Sequence, residues 1–149
     1  MKATEVLLWS IALPGFGQIL NKKILKGIIF IVLEIIVNVQ SNLNTVLLYS
    51  FYGEIDKAIE HADYQWLLFY PCLYFFAMWD AYRDAGGGRK PYSFLPFVFA
   101  AYFVTVGTIY SPQFTIFEVL LGPIWLPILS VLPGFLIGIL LQWIIRKRQ

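Results

Sequence analysis

Five apolar runs, parted by short charged or glycine-rich connections, constrain this chain more than any single motif. They cover residues 5–20, about 24–40, 64–82, 92–110 and about 124–145 of 149. Hydrophobic residues make up 59% of the chain and charged residues only 13%, where a soluble domain carries about 25% charged residues. A water-facing surface cannot be built from that balance, so the expected class is an all-α, polytopic membrane helical bundle with four or five transmembrane helices. The third run has Tyr64 and Trp66 at one end and Trp79 and Tyr82 at the other, as interfacial aromatic belts require. The first run is shorter than the roughly 20 residues of a straight span and is interrupted by Pro14-Gly15. It either crosses as a fifth, kinked helix or re-enters on the side it left.

Charge sets the orientation. Lys22, Lys23 and Lys26 follow the first run, Arg83, Arg89 and Lys90 follow the third, and Arg146, Lys147 and Arg148 close the fifth. Under the positive-inside rule, the basic loops 21–26 and 83–90 and the C-terminus lie in the cytoplasm, and the protein sits in the cell membrane. Five spans place the N-terminus outside; a re-entrant first run leaves four spans and places it inside. Lys2 is a weak basic start with no small-residue cleavage site after it, so the N-terminal segment is expected to be retained.

Three connections carry structure of their own. Leu43, Leu47, Phe51, Ile55, Ile59 and Ala62 recur at helical spacing, which predicts an amphipathic extracytoplasmic helix over about 42–63. Its polar face is acidic, unlike a helix that lies freely on anionic lipid, so its apolar stripe is expected to pack on the protein's own spans or on a partner. Residues 86–91 hold three glycines and form a cytoplasmic linker. That divides the chain into a unit at 1–85 and a C-terminal transmembrane unit at 92–149. "SPQFTIFEVLLGP", with Glu118, is too short to span and reads as a half-helix or an interfacial turn.

The opening stretch "ALPGFGQILNKKILKG" is the densest local signal. Pro14 removes a backbone donor, Gly15, Gly17 and Gly27 allow close helix approach, and Gln18 offers an amide to the freed backbone groups. The stretch reads as a kinked helix, a tight turn and a second helix packed on the first. "LPGF" recurs at 132–135, without the glutamine, lysines and Lys-Gly that follow the first copy. The two are read as separate kinks rather than a repeat.

"PGFGQ", the later "KG" and "WDAYRDA" at 79–85 together resemble the small two-pass transmembrane domain family. The resemblance covers a little over half of the chain. It implies paired spans closed by the Asp-Ala-Tyr stretch, in the manner of multi-pass bacterial membrane proteins. It implies no particular activity, since the family's biochemistry is largely unassigned. The family usually carries Tyr and Gly in the turn where this chain has Leu20 and Lys22, and the acidic helix between the spans is an insertion.

Ionisable groups inside a bilayer are candidates for function because burying them costs at least about 2.5–3.5 kcal/mol at a helix centre. Glu34 lies mid-run with Asn38 one turn on. It is either a proton or cation site or a packing contact to Gln18 or another span. Asp80 and Arg83, three apart, are expected to form a local ion pair. His61 has acidic neighbours but no second His and no Cys nearby, so no metal site is expected. Cys72, the single cysteine, is expected to pack within a span. No Ser-His-Asp set, nucleophile elbow, phosphate loop or dinucleotide fingerprint is present, so no catalytic residue, cofactor or enzymatic activity is expected. A net charge of +2 without an aromatic-lined basic groove gives no nucleic-acid partner. The expected partners are the lipid bilayer and either a membrane-protein partner or further copies of this chain. The function expected first is a non-enzymatic subunit or scaffold of a membrane complex. The second is a small transporter or channel component that uses Glu34. An enzyme acting on a lipid comes last.

Overall fold

The computed structural model describes residues 2–148. The chain is all-α apart from one short hairpin. The first run forms α1 (Ala3–Ala12) and α2 (Phe16–Leu20), and the second forms α3 (Ile24–Gln40). The outer connection forms α4 (Leu43–Phe51) and α5 (Ile55–His61). The third run is broken at Leu68 into α6 (Tyr64–Leu67) and α7 (Phe69–Asp84). Then follow α8 (Leu95–Tyr110), the strands β1 (Thr115–Ile116) and β2 (Val119–Leu120), and α9 (Gly122–Lys147).

The first run is not a kinked helix; it reverses. A side chain on Gly17 would lie 2.1 Å from Ser10 Oγ and 3.2 Å from Val6 Cγ1. Residues 11 apart in one helix would be about 16 Å apart, so α2 lies back along α1. Gly15 makes the reversal possible with a φ of +104°, a conformation open to glycine. Lys22 and Lys23 then close α2. The Lys22 N–H donates to Ile19 O at 2.8 Å and the Lys23 N–H to Gln18 O at 2.9 Å. These bonds form a Schellman cap with a lysine at φ +62° in the position usually held by glycine. The second "LPGF" behaves differently. Pro133 and Gly134 lie inside the continuous helix α9, so it does not break that helix.

The outer connection is two helices, not one. Gly53 takes φ +78°. The N–H groups of Gly53 and Glu54 donate to Ser50 O and Tyr49 O, which is another Schellman cap, and it stops α4. The apolar side still packs inward. Leu43, Val46 and Ala58 form a core with Leu67 and Ile124, and Trp125 Nε1 donates to Ser50 O at 3.0 Å. The segment at 111–121 is not a half-helix but a turn, a hairpin reversing at Phe117 and Glu118, both with positive φ. Residues 86–91 fold back on α7, with Gly87 against the Tyr82 ring and Gly88 against Trp79.

Two glycine seams hold the long helices. Gly15 and Gly27 bring α2 and α3 into backbone contact. Gly134 and Gly138 bring α9 against Ala100 and Pro96 of α8, leaving a Cβ only 2.7 and 2.5 Å from backbone atoms. A second core of Phe75, Met78, Phe97 and Ala100 joins α7 to α8. It is covered by Leu7 of α1 and Phe135 of α9, so the unit at 1–85 and the one at 92–149 share a core.

Among the described residues one helix, α9, is long and apolar enough to cross a membrane, with a mean hydropathy of 2.3. Helices α3 and α4 meet that test only as a pair, bent by 64° at the break.

Candidate functional site

The sequence places polar groups at two levels of the bundle, and the fold gives each a different fate. At the level of the lysine turn, α2, the start of α3 and the end of α7 converge. Gln18, fully buried, donates through Nε2 to Ala77 O at 2.8 Å and to Asp80 Oδ2 at 3.1 Å. Asn21 Nδ2 donates to Ala81 O at 2.8 Å. Lys26 Nζ lies 2.7 Å from Asp80 Oδ1 and 3.1 Å from Asp84 Oδ2, and Lys23 Nζ lies 2.8 Å from Asp84. Arg83 reaches Asp80 at 3.3 Å, so the expected local pair exists, but Lys26 is the closer partner.

The local sequence explains this lock. Asp80 and Asp84 are four apart, so both carboxylates project from one face of α7 and repel. Lys26, one turn into α3, sits between them. Gly17 lets α2 approach α7 until a Cβ would be 2.6 Å from Ala81 Cβ. Burial works to raise the Asp84 pKa, but hydrogen bonds from Lys23 and Lys26 outweigh it and hold the carboxyl below its ordinary value. Gln18 was expected to satisfy the backbone freed by Pro14. It serves α7 instead, because the reversal turns it away from α1.

Glu34 occupies the second level. Its side of α3 faces inward with Gly27, Phe30 and Val37, and it is 8% exposed. Tyr70 of α7 donates to Glu34 Oε1 at a long 3.5 Å. The partner is therefore another helix, as one sequence alternative had it, but not Gln18. Asn38 is half-buried and donates to Asn44 Oδ1 at 3.3 Å, which ties the end of α3 to α4 and does not join Glu34. Glu118 is exposed at the hairpin turn. His61 Nδ1 lies 2.9 Å from Lys57 O, and its ring lies 5.0 Å from that of Tyr49. Cys72 is exposed on α7.

An apolar cavity of about 540 Å³ opens beside this level, between α1, α4, α7, α8 and α9. Tyr70, Tyr74 and Thr108 are its polar-tipped lining residues. Two of the three hydroxyls are committed to backbone, Tyr74 to Ile11 O and Thr108 to Val104 O.

Sequence reasoning missed Asn21, Lys26, Asp84 and Tyr70. Lys26 and Asp84 had a signal: two aspartates at helical spacing at the end of an apolar helix need cations, and the lysine turn supplies them; Asn21, bonded to a backbone carbonyl of another helix, had none. Tyr70 had none, because its pairing with Glu34 depends on how α3 and α7 cross. No protein-family model matches this chain, and neither a curated protein nor a solved structure matches it.

Proposed function

We propose that this chain is a multi-pass protein of the cell membrane. Helix α3, the α6–α7 pair, α8 and α9 cross it, and the α1–α2 hairpin re-enters from the cytoplasmic side. Its role is that of a non-enzymatic subunit or scaffold. One observation carries the membrane reading: the long helices are inside out. On α3, Glu34 and Gly27 face the interior, while Leu25, Ile28, Ile29, Val32, Ile35 and Ile36 face outward, Leu25 at 75% exposure. On α9, Gly134 and Gly138 face α8, and Leu132, Leu136 and Leu140 face outward. A solvent of hydrocarbon explains that arrangement, and small residues at helix contacts are its packing signature.

Orientation follows from where the charges gather. The lysine turn meets Asp80 and Asp84 at one end. Gln142 bonds Pro91 O at the same end of the α8–α9 pair, so Arg146 and Lys147 join Arg89 and Lys90 there. The acidic α4–α5 region and the hairpin lie at the opposite end. α1 runs antiparallel to α7, with Val6 and Ala81 both against Gly17 and Ile11 bonded to Tyr74, which sets the start of α1 at the basic end. This favours the four-span alternative with the N-terminus in the cytoplasm. The lock of Gln18, Asn21, Asp80 and Asp84 gives the "PGFGQ" and "WDAYRDA" pieces a joint structural task, in keeping with the resemblance to two-pass domains.

The scaffold reading rests on the use of the polar groups. Asp80 and Asp84 are neutralised by lysines, and Glu34 is closed off by Tyr70 beside an apolar cavity. The test is Glu34→Gln in reconstituted vesicles. Unchanged proton and cation flux with lowered thermal stability is the expected result. Flux present in the native protein and lost in the variant would make it a transporter. A stoichiometric protein partner in mild-detergent purification from native membranes would identify the complex.

A further inference from the structure

We propose that the cavity between α1, α7, α8 and α9 is a binding site for one acyl chain of a membrane lipid. The inference rests on the membrane reading above. The cavity exists because the first run turns back: α1 ends at Ala12, and beyond it no helix fills the space that a full span would occupy. Leu43 and Leu47 of α4 roof that space, and Ile124 and Val131 of α9 wall it. Its volume, about 540 Å³, falls in the range of about 300–1,000 Å³ of ligand pockets. Its lining runs from Phe97 to Thr108 on α8 and from Pro123 to Phe135 on α9, roughly 16–18 Å along each helix axis, which suits an extended chain better than a compact molecule.

The lining decides the chemistry. An apolar cavity of this size offers water too few partners, since a buried water needs two to four polar contacts. Ile11 and Ile128 flank the cavity and are both about half exposed, at 48% and 50%. The site thus opens sideways onto the same outward apolar surface that the bilayer covers. Hydrocarbon is the medium at that mouth, so a lipid tail can enter without crossing water.

The test uses the whole protein reconstituted with phosphatidylcholine that carries a photoactivatable diazirine in one acyl chain, with adducts mapped by peptide mass spectrometry. Adducts on Leu47, Tyr74 and Val131 are expected, together with adducts on outward residues such as Leu25 and Leu136. Ala12→Trp, which places a ring at the cavity rim, should lower the three cavity adducts at least fivefold and leave the outward ones unchanged. Ile29→Trp, on the outward face of α3, should change neither set. If Ala12→Trp does not fold, Ile128→Trp narrows the mouth from the opposite wall and should give the same result. Outward labelling without cavity labelling, or cavity labelling indifferent to both cavity variants, overturns the site alone. Absence of labelling on the outward face as well overturns the membrane reading with it.

Discussion

At the residue scale, the lock between α2, α3 and α7 makes the sharpest claims. Asp80 is buried and held by Lys26, Gln18 and Arg83. Asp80→Ala leaves Lys26 with Asp84 alone and removes one of the two acceptors of Gln18, for a loss of about 2–3 kcal/mol. A double-mutant cycle with Lys26→Met, read by thermal unfolding in detergent, should show coupling of about 1 kcal/mol or more. Additive effects would mean that the pair is incidental. Asp84 carries a pH signature. Its folded pKa lies below the unfolded value of 3.8, so its stabilisation is complete above that value and is lost as pH falls through the lower folded one. Native protein should therefore lose stability below about pH 4 more steeply than Asp84→Asn, and parallel pH curves would contradict the lock. Lys22 sits at φ +62°, which costs a non-glycine residue about 1 kcal/mol. Lys22→Gly should raise stability by about 0.5–1 kcal/mol, and a drop in melting temperature would show that the lysine's charge matters more. Much of the lock was visible in the sequence as residue types. Gln18, Asp80 and Arg83 stood out because polar groups in apolar runs need partners. Lys26 was read only as flanking charge and Asp84 only as a letter of the "WDAYRDA" piece, because their pairing is tertiary.

At the element scale, the sequence shows where the helices lie better than where they turn. The apolar runs became helices, yet the breaks at Gly53 and Leu68 went unread, and the one at Pro14-Gly15 was left between a kink and a re-entrant turn. Pro14-Gly15 fits both a kink and a reversal, and the choice falls to contacts of Gly17 with Ser10 and Val6, which no local pattern encodes. Gly53 ended α4 inside a periodic stripe that runs on across it, because a left-handed cap is set by one residue and the stripe by twenty. The α6–α7 break at Leu68 has no glycine or proline at the break itself, and only the Asp63 side chain, capping α6 through Gln65 and Trp66 N–H groups, marks a separate start. The faces are testable as well. Ile36 points outward near the far half of α3. Against hydrocarbon, Ile36→Arg should cost about 3 kcal/mol and deplete the protein from the membrane fraction. A change within about 0.5 kcal/mol, as for a water-facing site, would contradict the assignment of that face. On the opposite seam, Gly134→Val must displace the α8 backbone at Ala100. It should destabilise by about 1–3 kcal/mol, whereas Leu136→Val, facing outward, should not.

At the scale of the whole molecule, the account is one of polarity arranged along an axis. Basic clusters from three distant parts of the chain meet at one end, an acidic helical pair caps the other, and the surface between is apolar. Composition alone pointed to this class, because 13% charged residues cannot cover a water-exposed surface. It could not fix the number of spans, since α7 and α8 are 16 residues each and, among the described residues, only α9 passes a length test alone. The α1–α2 hairpin links the scales: a left-handed glycine reverses the chain after α1, the reversal sets α1 antiparallel to α7 with its start at the basic end, and the proposed re-entrant topology and the apolar cavity both follow from it. The central claim is therefore topological. Its most direct test is membrane-impermeant thiol labelling of intact cells in a Cys72→Ser background, with single cysteines at Lys2, Asp56, Lys90 and Arg148. The account predicts that Asp56→Cys is labelled from outside, and that the other three are labelled only after the membrane is permeabilised. External labelling of Lys2→Cys together with Asp56→Cys would contradict the re-entrant hairpin and restore a fifth span, and labelling of all four from one side would contradict the membrane bundle itself.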